Sequence, residues 1–305
     1  MSIRSLQYYA LAVPDPAVGR RFYADFGLEG RENGKSVVMR CHGRAQDQVV
    51  LVEGPKRRLH HLCFGTKPEL LSALKKRIEA SGTKLADPPN ETPGEGLWLR
   101  DPDRALLNVK AAEPAPWAAA PKWTINTPGH FTRLGKRAAP ARDLKVRPRR
   151  LGHVLRFTPD MNRTVDFYTK VLGMRLSDRA RDILTFLHTE GGSDHHVLAF
   201  ATGDLPGFHH ASFEVANVDE IGMGARNLIA KGYRNGWGFG RHMIGSNFFH
   251  YIRDPWNGLA EYFTDIDYIP AGQAWEAKDW APEDSLYVWG PAVPEDFIAN
   301  FEDAR

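Results

Sequence analysis

Three segments of this chain recur in the same order in its two halves, and a repeat on that scale limits the fold more than any other feature. Leu151-Gly152-His153 through Pro159-Asp160 to Phe167-Tyr168 echoes Leu6-Gln7-Tyr8 through Pro14-Asp15 to Phe22-Tyr23, with equal intervals between the parts. Phe208-His209-His210-Ala211-Ser212-Phe213 echoes Leu59-His60-His61-Leu62-Cys63-Phe64, and Asp254-Pro255 reaching Glu261 echoes Asp101-Pro102 reaching Asn108. Hydrophobic spacing predicts helices over 17–26 and 164–172, stopped by Gly27 and Gly173. Further helices are expected over 68–80, ending at Gly82, and from Asp219, carrying Ile221, Leu228 and Ile229 and ending near Gly232. Runs such as Leu259-Ala260-Glu261-Tyr262-Phe263 read as strands. The expected class is therefore α+β, with two modules of paired βα-plus-strand units, each a curved mixed sheet with helices outside.

Length agrees, since 305 residues are about twice a usual domain. The expected division is an N-terminal module over 1–113, a connection over 114–150 rich in Ala, Pro and Lys/Arg, a C-terminal module over 151–267, and a tail over 268–305. Trp275, Trp280 and Trp289 of that tail need something to cover: they pack on their own subunit or a neighbour, or they cap a pocket mouth. Hydrophobic content of 42% and charged content of 25% are those of a soluble globular protein, and no apolar run approaches the roughly 20 residues of a membrane span. The first residues lack the apolar core of a secretory signal, and Cys41 and Cys63 are the only cysteines, so a reducing cytoplasm is expected. A net charge of +3, with its basic cluster confined to 142–150 beside prolines, reads as a solvated connection rather than a nucleic-acid arm. The expected assembly is a homo-oligomer.

Aligning the repeats singles out three positions. The second half has His153, His210 and Glu261 where the first has Tyr8, His61 and Asn108, so only the second half carries a complete ligand trio. Two neutral imidazoles and one carboxylate suit a divalent cation and leave half of an octahedron open. Of 12 histidines, eight lie after residue 150, an asymmetry that a purely structural requirement does not explain. Strand alternation sends His209 and His210 to opposite faces, so one of the pair enters the pocket.

These residues resemble the type I extradiol ring-cleaving dioxygenases of the vicinal oxygen chelate superfamily, over residues 1 to about 267. Leu151-Gly152-His153 looks like the first-ligand strand of that group, Phe208-His209-His210 like the second with His210 ligating, and Gly258-Leu259-Ala260-Glu261-Tyr262 like the third. Gly240-Arg241-His242, then Tyr251, Asp254-Pro255 and Glu261, is similar to its most specific motif. The resemblance implies paired βαβββ modules around a cavity, Fe(II) as the metal with Mn(II) as the alternative, and O2 and a small aromatic diol as reactants. It implies that His196, rather than His195, is the acid-base residue, taking a proton from the diol and returning one as the O–O bond breaks, and that His242 and Tyr251 hydrogen-bond the diol. His195, His209 and His250 are expected in supporting or surface positions. The chain departs from the pattern at His250, where the family is apolar, at Gly245 in place of an aspartate, and in the placement of Gly258. Rival expectations are a glyoxalase-like isomerase or transferase, which draws ligands from two modules, and a protein of the same fold that binds an aromatic ligand without turning it over.

Overall fold

The computed structural model describes residues 2–90, 94–114, 116 and 122–302. Positions 115 and 117–121 of the expected connection and 303–305 of the tail lie outside the described residues. The first half runs β1 (Ser5–Val13), α1 (Pro16–Asp25), β2 (Glu29–Asn33), β3 (Ser36–Arg40), β4 (Val49–Glu53), β5 (Arg58–Thr66), α2 (Pro68–Ala80), β6 (Leu97–Arg100) and β7 (Leu106–Ala111). The second runs β8 (Arg150–Thr158), α3 (Met161–Asp166) continued by a π-helical turn over Phe167–Val171, β9 (Arg175–Ala180), β10 (Leu184–His188), β11 (Ser193–Asp194), β12 (Leu198–Thr202), β13 (Gly207–Glu214), α4 (Val218–Ala230), β14 (Asn235–His242), β15 (Phe248–Arg253) and β16 (Leu259–Thr264). Short tail strands follow: β17 (Tyr268–Ile269), β18 (Lys278–Asp279) and β19 (Tyr287–Trp289).

The repeat in the sequence is a repeat in strand order. The first sheet is ordered β2-β3-β4-β1-β5-β7-β6, and the second contains the same series as β9-β10-β12-β8-β13-β16-β15, extended by β14 and by β18 and β19 at its edges. Pairing directions agree too. β1 is parallel to β4 and antiparallel to β5, as β8 is to β12 and β13, and β5 is parallel to β7 as β13 is to β16. The fold is α+β, mostly strands in mixed sheets with helices packed outside.

Each recurring motif has a local physical task. The aspartates of Pro14-Asp15 and Pro159-Asp160 are helix N-caps, accepting from the backbone N–H of Ala17 and of Arg163, a bond that stabilises a helix by about 1 kcal/mol. The tyrosines of the Phe-Tyr pairs are buried and bonded, Tyr23 to Tyr9 and Tyr168 to Asp101. Asp101 and Asp254 each close a turn with one carboxylate oxygen, on the N–H of Ala105 and of Gly258. The other oxygen reaches across to the opposite half. Arg57 meets Asp254 at 2.9 Å and Arg156 meets Asp101, all four side chains buried. Gly258 makes room for the first pair, because a Cβ there would stand 2.1 Å from the Arg57 guanidinium carbon. One apolar core, with Phe26 stacked on Tyr262 at 3.9 Å, runs through both halves.

α4 carries Ile221, Leu228 and Ile229 as expected; Leu228 is fully buried and Ile229, about 100° further round, is 45% exposed. One local expectation fails. The pairing of β8 with β13 slips between Phe208 and His210, a bulge that leaves His209 without a partner on β8. At a bulge the strict alternation of faces is lost, and His209 and His210 are both buried with their rings in contact.

The tail packs on the second half of its own chain. β17 pairs with β11, β18 with β9 and β19 with β14. Trp275 donates to the Ser177 carbonyl and Trp280 is covered by Lys278, while Trp289 is 44% exposed against Phe239. No helix among the described residues is long and apolar enough to cross a membrane.

Candidate metal centre and active site

The second sheet carries one row of side chains across four neighbouring strands. His153 on β8 faces Ser212 on β13, Ser212 faces Glu261 on β16, and Glu261 faces Tyr251 on β15. Directly opposed residues share a face, and so does His210, two positions before Ser212. Gly152 makes that row possible at its β8 end, because a Cβ there would collide with the Phe263 ring at 2.4 Å. His153, His210 and Glu261 therefore converge, with candidate donor atoms all within 4.8 Å of one another and all three residues buried.

The fit to a metal can be read from the hydrogen bonds. His209 Nε2 must donate to the Phe297 carbonyl at 2.6 Å, so its Nδ1 is a lone pair that accepts from His210 Nδ1, also at 2.6 Å. His210 is thereby held as the tautomer whose Nε2 is bare, and that buried nitrogen has no hydrogen-bond partner among the described residues. It lies 3.5 Å from Glu261 Oε2, and His153 Nε2 lies 3.3 Å from the same oxygen. Ligands in adjacent positions around a first-row dication stand about 3 Å apart, so these spacings suit three positions on one face.

Glu261 is fully buried, and burial alone would raise its pKa. The neighbouring His153, His242 and His210 rings instead hold it well below the usual carboxylate range. Burial pushes His209 down to about 4 and His210 well below its ordinary value, so both are neutral imidazoles as ligation requires. Two supports were not read from the sequence: Ser212 Oγ donates to Glu261 Oε2, and Asn247 Nδ2 approaches Oε1 at 3.4 Å. Ser212 could have been found as the residue two after His210 on the same face.

The other expected site residues are here as well. His196 lies against His153 at 4.2 Å between ring centroids, and burial drives its pKa well below the usual value. His242 Nδ1 donates to the Leu286 carbonyl at 2.8 Å, which leaves Nε2 to accept from the Tyr251 hydroxyl at 3.0 Å. Tyr251 is buried, and its phenol is pushed well above its ordinary pKa by burial and by Glu261, so it is a hydrogen-bond donor. His195 is fully buried behind His196, whereas His250 turns away to Asn235 at 2.8 Å and is outside the pocket lining.

His153, His196, His210, His242 and Tyr251 line a cavity of about 210 Å³ with apolar walls that include Leu155, Phe186 and Ile244, closed on one side by Leu286, Phe297 and Ile298 of the tail. The tail thus both packs on its own chain and walls the pocket, and its carbonyls at Leu286 and Phe297 set the tautomers of two site histidines. A larger cavity, about 1240 Å³, opens in the first half over Tyr8, His61 and Asn108. Size does not make it the reaction site, because its matching positions offer no carboxylate.

The model of the Glyoxalase/Bleomycin resistance protein/Dioxygenase superfamily matches residues 150–262. Metapyrocatechase 2 of Cupriavidus necator is 43% identical over 99% of this chain and 93% of its own length. A manganese-dependent 2,3-dihydroxybiphenyl 1,2-dioxygenase of Geobacillus genomosp. 3 is 24% identical over 95% of each chain. The crystal structure of the Mn(II)-bound glyoxalase from Novosphingobium aromaticivorans superposes with a TM-score of 0.76 at 25% identity, covering 96% of this chain and 93% of that one. Full-length identity with a ring-cleaving relative, on this duplicated fold, shows that the chain belongs to the type I extradiol ring-cleaving dioxygenases of the vicinal oxygen chelate superfamily.

Proposed function

We propose that the protein holds one Fe(II) through His153, His210 and Glu261 and opens the ring of a one-ring catechol in the breakdown of aromatic compounds. The observation that carries this reading is the bare, buried Nε2 of His210 beside His153 and Glu261, at the edge of a small apolar cavity. When bound, the metal brings the diol and O2 together and relays electron density between them. His196 accepts a proton from a diol hydroxyl and returns it later, a task that suits a neutral imidazole at the pocket wall. Tyr251 and His242, already bonded to each other, orient the second hydroxyl. A cavity near 210 Å³ is below the roughly 300–1,000 Å³ of sites for drug-sized ligands, which favours one ring over two. No Lys, Arg, Asp or Glu is among its described lining residues, which favours uncharged ring substituents.

A glyoxalase would draw ligands from both halves. Asn108 is instead committed to Cys63 and to the Glu95 carbonyl, in a different cavity. Cys41 and Cys63, both free and buried, support a reducing cytoplasm.

The test is anaerobic reconstitution with Fe(II) or Mn(II), followed by O2 uptake and product mass over a panel of catechols. Diol-dependent O2 consumption with Fe(II), giving a product heavier by both oxygen atoms, is expected, and Glu261→Gln abolishes metal retention and uptake together. Iron occupancy and uptake that survive Glu261→Gln overturn the proposal, and activity with Mn(II) alone overturns the choice of iron.

A further inference from the structure

Behind His196 stands a chain of buried polar groups that the ring-opening reading does not use. His195 Nε2 lies 3.1 Å from Asp178 Oδ2, and His195 Nδ1 lies 3.1 Å from His196 Nδ1. His195 is fully buried and Asp178 is 5% exposed. The second Asp178 oxygen accepts from the Lys278 backbone N–H at 2.6 Å, which anchors the carboxylate from the tail strand β18. Ser177 Oγ holds the His195 carbonyl, and the Trp275 ring meets the imidazole edge-on at 5.5 Å. The carboxylate and the His195 backbone are thus each anchored by a hydrogen bond, and the His195 ring is packed against Trp275.

We propose that Asp178, acting through His195, is a positioning residue that fixes which nitrogen of His196 faces the substrate. A carboxylate only accepts, so His195 Nε2 must carry hydrogen and His195 Nδ1 must be a lone pair. His196 Nδ1 is then the donor to that lone pair, and His196 Nε2 is left as the free base. Taking the proton breaks a diol O–H bond and forms an Nε2–H bond. The charge left on the ring faces the Asp178 carboxylate across one intervening imidazole. Gly245 borders the other flank of His196, where a Cβ would come within 3.2 Å of Cε1 and 3.4 Å of Nδ1. The same arrangement occurs at His209 and His210, with the Phe297 carbonyl in place of the carboxylate.

This inference rests on His196 being the proton acceptor, and the experiment separates the two. Three variants of the Fe(II)-loaded full chain are compared with catechol and O2: His195→Phe, which keeps the ring without its nitrogens, His195→Asn, which returns an acceptor near the Nδ1 position, and His196→Phe. Removing a partner that orients a site histidine costs about 10- to 100-fold, so His195→Phe is expected to lower kcat by that factor with KM and iron content unchanged. His195→Asn is expected to recover most of the loss, and ¹⁵N spectra of the metal-free protein show His196 protonated at Nδ1 in the wild type but not in His195→Phe. Full kcat in His195→Phe beside an inactive His196→Phe overturns the positioning role alone, as does an Asn variant no better than Phe. An active His196→Phe overturns the acid-base reading itself.

Discussion

The two halves place the same row of four positions on the same strands, and the contents differ. In the second half the row is His153, Ser212, Glu261 and Tyr251; in the first it is Tyr8, Cys63, Asn108 and Trp98, paired strand to strand in the same way. The histidine pair is retained, with His60 Nδ1 2.7 Å from His61 Nδ1 and a bulge at the same point. Yet the nitrogen left open at His210 is occupied at His61, whose Nε2 lies 3.1 Å from the Tyr8 hydroxyl. Cys63 Sγ donates to Asn108 Oδ1 where Ser212 donates to Glu261. The first half is therefore a neutral, internally satisfied version of the site. On the proposed reading, metal affinity depends on which donors occupy the row, because strand order, register and the bulge are common to both.

The strongest way to break that comparison is to rewrite the first row. Tyr8→His combined with Asn108→Glu supplies the missing imidazole and carboxylate beside His61, and metal content measured by plasma emission is expected to rise from roughly one to roughly two equivalents per chain. Asn108→Ala alone leaves it unchanged. A double variant that folds and stays at one equivalent would show that the backbone of the first half is not equivalent.

The next test concerns what the halves share. Arg57 with Asp254 and Arg156 with Asp101 are buried ion pairs that cross between the halves in opposite senses. Removing one partner of such a pair leaves an uncompensated charge and costs about 3–5 kcal/mol. Asp101→Ala and Asp254→Ala should each lower unfolding stability in urea by that amount. A loss confined to Asp254→Ala would mean that the Asp-Pro motif serves the metal-bearing half rather than the joint.

A smaller effect separates the two histidine pairs. His209→Phe removes the acceptor that holds His210 in its ligating tautomer and should weaken metal binding about 10- to 100-fold in a chelator competition. His60→Phe, the same change in the first half, should leave it untouched. Equal effects would locate the role of His209 in packing.

Much of this was legible in the residues. The convergent trio was found by aligning the repeats, since His153, His210 and Glu261 stand where Tyr8, His61 and Asn108 cannot complete a set, and alignment also locates the strands that hold them. What stayed hidden depends on backbone atoms and on local departures from regularity. The carbonyls of Leu286 and Phe297 fix two tautomers, yet a carbonyl is common to every residue and carries no identity. The expectation that His209 and His210 point apart failed at a bulge, which one-residue slippage produces without a mark in composition. The Asp-Pro motifs were visible as echoes, but their partners, Arg57 and Arg156, lie more than 50 residues away in sequence and match no shared spacing.

The smallest effect is a pH dependence that can be compared between His61 of the first half and His250 of the second. Burial pushes His61 down to about 3 and His250 down to about 4, so both are neutral in the folded protein at pH values where an unfolded histidine takes a proton. The unfolded chain then binds more protons than the native one between each depressed value and about 6.5, the ordinary histidine pKa, and stability falls as pH drops through that window. It is fully present above pH 6.5 and levels off below the depressed values. The slope is at most about 1.4 kcal/mol per pH unit for each group. His61→Phe and His250→Phe should each flatten the decline in urea stability of the metal-free protein between pH 6.5 and 5.5 by up to that much. If only one of them does, the two halves differ in how they exclude charge as well as in how they bind a metal.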